Sequence, residues 1–289
     1  MDQNKLYNAL LKTQALQQKD KAEENQAEDV TANKYRVEKP YAQSPRMGLP
    51  HPADEEHPPT LYDPSVSLKM INNPHPWTKD QLKKRKIIYS GMSNKTILNA
   101  YREVRIKLRN RSEDTNFSVM VSSLSKRDSS VLNAFNLAAS FALDPHSSAL
   151  MVDCNPYTQE LQKLVSVKMN KGITDFVDDR EIEVNDIIYP SGIDRLSVVP
   201  AGHLSSSAVE LFSSARMRLL MNELKDRYPD RYIVINSPSM RESTEGHILV
   251  RYADHAVLTV PFGEVTADQV MDAVDEIDPE KFAGLIYQE

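Results

Sequence analysis

The chain has 289 residues, a formal charge of −6, 40% hydrophobic residues and a single cysteine, Cys154. One cysteine excludes an internal disulfide and fits a reducing compartment. No apolar run reaches the ~18 residues needed to cross a bilayer, the opening Met1-Asp-Gln-Asn-Lys-Leu6 does not read as a secretory leader, and the acidic balance gives no reason to expect nucleic-acid binding. A cytoplasmic protein is expected, with peripheral attachment at the inner membrane left open.

In chain order, Leu6, Ala9 and Leu10 fall near helical spacing within residues 1–24. This reads as a short amphipathic docking helix, or as a frayed one touching nothing fixed, since short isolated helices are marginal. Residues 25–85 read as a disordered linker: nine of the 17 prolines lie between Pro40 and Pro76, and the stretch has too little apolar surface to offset its ordering entropy. Within it, His51 and His57 flank Asp54-Glu-Glu56, which reads as solvated polarity and not as a metal site. The basic run Lys79–Lys86, beside the lone Trp77, could touch anionic headgroups or the cytoplasmic part of a membrane protein; a soluble linker end is the expected reading.

From residue 86 short apolar runs alternate with amphipathic ones. Strands are predicted at Phe117–Leu124, Ala149–Asp153, Leu196–Pro200, Tyr232–Asn236, His255–Pro261 and Phe282–Tyr287. Helices are predicted at Lys95–Arg109, Ser130–Leu143, Tyr157–Val165, Ala215–Arg227, Glu245–Tyr252 and Thr266–Ile277. This alternation specifies an α/β domain over 86–289, with a doubly wound, mostly parallel sheet whose ligands belong at the carboxyl ends of the strands. The turn after the first strand, Ser125-Lys-Arg-Asp-Ser-Ser-Val131, occupies that address, yet no glycine occurs between Gly91 and Gly172. A phosphate cradle needs glycines so that successive N–H groups converge, a Lys for the terminal phosphates and a hydroxyl for Mg²⁺.

Several blocks recur in a fixed order: Asn99-Ala-Tyr-Arg-Glu-Val-Arg-Ile-Lys-Leu108, the strand and loop above, Asn136-Leu-Ala-Ala139, Ala149–Asn155, Val198-Val-Pro-Ala-Gly202, Arg227–Pro238 and Ala253–Val260. From about Lys86 onward they resemble the bacterial tyrosine kinases (BY-kinases) of exopolysaccharide synthesis. That family is a branch of the MinD/ParA-like deviant Walker ATPases with a P-loop NTPase fold, and the resemblance extends to autokinase-like proteins of exosortase-associated clusters. The family's Walker A loop, Pro-Gly-x-Gly-Lys-Ser/Thr, registers on Asn136-Leu-Ala. Its Pro falls at Lys126, its glycines at Arg127 and Ser129 around Asp128, its Lys at Ser130 and its Ser/Thr at Val131. The second acidic motif keeps Asp153, which also suits a turn former or cap. The Walker B aspartate becomes Asn236, a neutral amide and a poor ligand for a hard cation.

The resemblance implies a tyrosine cluster near the C-terminus and a Glu-x-x-Arg-x-x-Arg oligomerisation motif. Here only Tyr287 stands near the end, as part of the last strand, and the motif reads Asn99, Arg102, Arg105. Arg102 and Arg105 are the oligomer-interface candidates; a solvated basic face is the alternative. Cys154 is expected to be a packed thiol.

Taken together, an inactive pseudo-ATPase or pseudokinase is expected, with no catalytic residue intact beyond Asp153, no metal and no cofactor. It would act as a scaffold or regulatory subunit of exopolysaccharide assembly. Its partners would be the cytoplasmic region of a membrane polysaccharide co-polymerase and a further copy or active paralogue. The alternatives are an active atypical ATPase or tyrosine kinase holding Mg·ATP through Lys126, Arg127 and Asp153, and a MinD/ParA-like positioning ATPase.

Overall fold

The computed structural model describes residues 73–113, 115–125, 130–204, 208–227 and 231–288. The docking helix expected over 1–24 and most of the linker lie outside them. Helices α1 (Lys79–Lys84) and α2 (Lys95–Arg111) precede β1 (Ser118–Ser123), α3 (Val131–Ala142) and β2 (Ser148–Asp153). A 3₁₀ turn (Glu160–Lys163), α4 (Ile173–Asp178), a second 3₁₀ turn (Val184–Ile187), β3 (Tyr189–Pro190) and β4 (Leu196–Val199) follow. Then come α5 (Val209–Ser213), α6 (Ala215–Arg227), β5 (Arg231–Ser237), α7 (Thr244–Leu249), β6 (His255–Pro261), α8 (Ala267–Asp275) and β7 (Phe282–Gln288).

The strands form one seven-stranded sheet in the order β3-β4-β2-β5-β1-β6-β7, parallel except for the β3–β4 pair. This is a doubly wound, mostly parallel α/β sheet. Strands β1, β2, β5 and β6 are buried along their whole length, which is why they read as continuous apolar runs without alternation. Side-chain alternation still divides them between two cores: Met120 and Leu124 pack on one face with Leu150, Ile233 and Leu258, while Val119 and Val121 pack on the other with Phe135, Met151 and Val234. Helix α3 lies in the second core and is buried at every position but Leu132. Parallel register sets the ends of the central strands level, pairing Asp153 with Asn236 and Val121 with Asn236.

The six strands expected from sequence are all present, with ends shifted by a residue at most. Two helix expectations differ. Tyr157–Val165 holds only the 3₁₀ turn, because Asp153 and Asn155 each accept the N–H two residues on and divert the chain from helix. Glu245–Tyr252 divides into α7 and a 3₁₀ turn at Val250–Tyr252. The short helices α4 and α5, and the antiparallel β3, went unread.

The linker reading also ends too late, because residues 73–85 are folded onto the domain. Thr78 caps α1 in a reciprocal capping box with Gln81, and Leu82, Ile87 and Ile88 are buried. Trp77 donates its indole N–H to Leu164 O at 3.0 Å, and the Arg85 guanidinium stacks 3.8 Å over the indole. Arg85 Nε donates to Lys163 O at 2.9 Å. Asn136 of α3 clasps the outgoing chain, accepting from Ile88 N at 3.0 Å and donating to Lys86 O at 3.1 Å. Gly192 is kept free of a side chain by this seat: its φ is +98°, and a Cβ there would stand 2.6 Å from Trp77 Cδ1.

Segment 73–88 therefore contributes to stability. Trp77→Ala should cost about 2 kcal/mol or more through lost packing, and Thr78→Ala about 1 kcal/mol through the lost cap. Both are read as a lower midpoint in urea unfolding. An unchanged midpoint for Trp77→Ala would show that the segment is not part of the folded unit.

Candidate functional site

The carboxyl ends of β2, β5, β1 and β6 converge on a buried polar layer of Ser122, Ser123, Ser130, Asp153, Asn236, Ser237 and Thr259, each at most 2% exposed. Hydroxyl and amide groups held so far from water need partners. Ser122 Oγ donates to Pro238 O at 2.8 Å and accepts from Met240 N at 3.0 Å, which fixes the turn after β5 against β1.

At the centre is a directed chain of hydrogen bonds. Ser130, at the start of α3, does not cap its own helix. Its hydroxyl turns to β5, where it is shared between Asn236 Oδ1 and Ser237 O, the latter at 3.0 Å. Asn236 Nδ2 then donates to Asp153 Oδ1 at 2.7 Å. Asn155 N donates to the same oxygen at 3.1 Å. Burial pushes the Asp153 carboxyl up to about 7, against the opposing pull of the Asn236 amide and the Asn155 N–H.

Ser130, Asp153 and Asn236, noted separately along the sequence, are thus one cluster. Val131, in the register of the metal-binding hydroxyl, packs into the core instead. Lys126, Arg127, Asp128 and Ser129 lie outside the described residues. At the near edge of that loop, Ser125 Oγ donates to Glu264 Oε2, and Arg241 Nη1 donates to Leu124 O at 3.1 Å. Glu264, Arg241 and Ser122 were missed in the sequence, because each acts across the sheet from its neighbours; only the serine density of Val121-Ser-Ser-Leu-Ser125 hinted at a polar strand end.

Among the described residues, the ends of β2 and β5 offer few ligands for a Mg²⁺-nucleotide. A divalent cation between β2 and β5 would meet one carboxylate, whose Oδ1 already takes two N–H donors, and an amide whose oxygen is occupied by Ser130. Mg²⁺ needs anionic oxygens in near-ideal octahedral geometry. Among the described residues no group of three or more His, Cys, Asp or Glu is placed to hold a metal.

On its other side Asp153 borders a cleft of about 240 Å³ walled by the loops after β2 and β4, including Thr158, Lys171, Gly202 and His203. Those loops cross closely: a Cβ on Gly172 would stand 2.3 Å from Gly202 N. Beside Asp153, the Cys154 thiol is fully buried and pushed up by desolvation, a packed group and not a poised nucleophile.

The two arginines of α2 have different settings. Arg105 Nη1 donates to Ser140 O at 2.5 Å, near the end of α3, and Arg109 pairs with Asp144 at 3.1 Å just beyond it. Arg105 therefore ties α2 to α3, a cation near a helix C-terminus, and is half-buried. Arg102 is half-buried. Tyr287 lies in β7 and is exposed.

The linkage sign follows from the raised Asp153. The folded state holds its proton up to about pH 7, while an unfolded Asp releases it near pH 4, so stability falls as pH rises between those values. In wild type minus Asp153→Asn, unfolding free energy should decline from pH 5 to pH 8; a flat difference would contradict the raised value. Asn236→Asp should cost about 3 kcal/mol or more at pH 8 and less at pH 5, where the two carboxyls share a proton.

Among known proteins, no family model matches the chain. The tyrosine-protein kinase CpsD of Streptococcus agalactiae is 25% identical over 118 residues, 40% of this chain, and the chain spans about half the length of the CpsD kinases it matches. The solved kinase domain of the Escherichia coli tyrosine kinase Etk superimposes with a TM-score of 0.62 at 21% identity, covering 74% of this chain and 88% of that one. The BceF tyrosine kinase domain gives 0.60 at 19% identity, covering 78% and 97%. The chain is thus similar in sequence to bacterial tyrosine kinases over part of its length, and its parallel sheet has the fold of their solved kinase domains.

Proposed function

We propose that the chain is a catalytically inactive family member that serves as a scaffold or regulatory subunit in bacterial exopolysaccharide biosynthesis and export. Its partner would be the cytoplasmic region of a membrane-embedded polysaccharide co-polymerase, in concert with an active paralogue or further copies of itself. The observation that carries this reading is the closed Ser130–Asn236–Asp153 chain of hydrogen bonds. Phosphoryl transfer depends almost wholly on positioning and on electrostatic stabilisation by metal, lysine and backbone amides. Here the positions registered on the lysine and the Walker B carboxylate are engaged with each other, and the hydroxyl position is apolar.

Support for the pathway comes from the relatives, which are tyrosine kinases by name, and from the blocks shared with kinases of exopolysaccharide synthesis. The described residues contain no helix long and apolar enough to cross a membrane, so contact with a membrane assembly would run through surfaces of the domain. Such a subunit would hold its partner without a nucleotide cycle.

Calorimetric titration of the full chain with Mg·ATP tests the reading. No binding heat is expected at concentrations where active kinases saturate, and no phosphotyrosine should form on incubation. Micromolar binding together with turnover lost in Asp153→Asn would overturn it. Affinity capture from the native host should recover a polysaccharide co-polymerase whether or not ATP is present; dependence on ATP would favour a working switch.

A further inference from the structure

We propose that the corner built by α1 docks on the surface of an anionic lipid bilayer. Between Thr78 and Lys86 stand four lysines and one arginine against a single carboxylate, Asp80, in a chain whose formal charge is −6. Lys79, Lys83, Lys84 and Lys86 are exposed. No carboxylate of the described residues lies within ion-pair distance of any of them. Lys163 adds a further cation at the margin, only loosely paired with Glu160 at 4.0 Å.

What distinguishes this patch from a solvated linker end is its mounting. The stacking of Arg85 on Trp77, the bonds from Trp77 to Leu164 O and from Arg85 to Lys163 O, the capping box and the Asn136 clasp fix the helix to the domain. The charges therefore move with the folded body, and binding through them orients it without the entropic cost of first ordering the segment.

The occupant follows from the cation type. The patch's single arginine, whose planar fork would select one directed carboxylate or phosphate, is spent on Trp77 and the Lys163 carbonyl. The remaining ammonium groups are mobile point charges on flexible stems. They suit a fluid, dense field of monovalent phosphates better than one fixed partner. The overall negative charge works against polyanions that would envelop the chain, but less against a flat surface approached from this corner. The inference does not rest on the inactive-site reading, because it needs no nucleotide.

The test is flotation of the full chain with vesicles of phosphatidylglycerol and phosphatidylcholine, with pure phosphatidylcholine vesicles as control and no ATP present. Binding is expected only to the mixed vesicles, and to be lost as salt rises from about 0.1 M to about 1 M. The Lys79→Glu/Lys83→Glu/Lys84→Glu variant should lose at least about tenfold in affinity, whereas the Lys→Arg triple variant should retain it. Circular dichroism checks that both fold, as substitutions at exposed positions should. Failure of the wild-type chain to float, equal flotation of the glutamate variant, or binding to duplex DNA or polyglutamate in place of vesicles would each overturn the proposal.

Discussion

A carboxylate buried at the end of a parallel strand must be neutralised by a cation, by donors or by a proton. In this chain the Asp153 carboxyl is met by the amide of Asn236 on the adjacent strand, and that pairing organises the strand ends around it. An ionised aspartate at 236 could only accept, and two facing carboxylates would require a metal or a shared proton between them. An asparagine can donate with one end and accept with the other, so the polarity runs from the Ser130 hydroxyl through the amide to Asp153. The same interaction closes the space between α3 and β5 without an ion. Residue 236 serves here as a structural joint between α3 and β2.

The second organising feature is the attachment of residues 73–88. Here α1 does not stand by its own helix propensity, since six residues are far below the length at which an isolated helix persists. It stands because its flanks are anchored: Trp77 before it on the loops around Leu164 and Gly192, Ile87 and Ile88 after it in the core beside α3. Asn136 links this strap to the helix that begins at Ser130, so the chain entering the domain and the polar strand ends share one rigid element.

Much of this architecture could be read in the sequence. Strands β1, β2, β5 and β6 announced themselves as apolar runs between polar turns, because burial on both faces demands it. The short elements did not: α4 and α5 hold five or six residues each and are defined by packing, not periodicity. Helix α1 was legible in principle, since Thr78-Lys-Asp-Gln81 is a capping-box signature, but the prolines at 74 and 76 drew the segment into the linker. In the site, residue identity flagged Ser130 and Asn236 as departures from a motif and Asp153 as a retained member, one at a time. Their union could not be read, because it depends on the level register of β2 and β5 and on a serine turning away from its own helix. Helical spacing placed Arg105 on a face with Arg102, but its bond to the Ser140 carbonyl near the end of α3 could not be read from that spacing.

Trp77 is the only tryptophan of the chain, and it sits at the junction between the strap and the domain, under a guanidinium and against a backbone carbonyl. The protein's intrinsic indole emission therefore arises from one place. Any event that lifts or reseats the strap, whether contact with a surface, truncation or a side chain placed at Gly192, changes the polarity around that ring and shifts its spectrum. The seating of this corner can be followed in solution with no label attached.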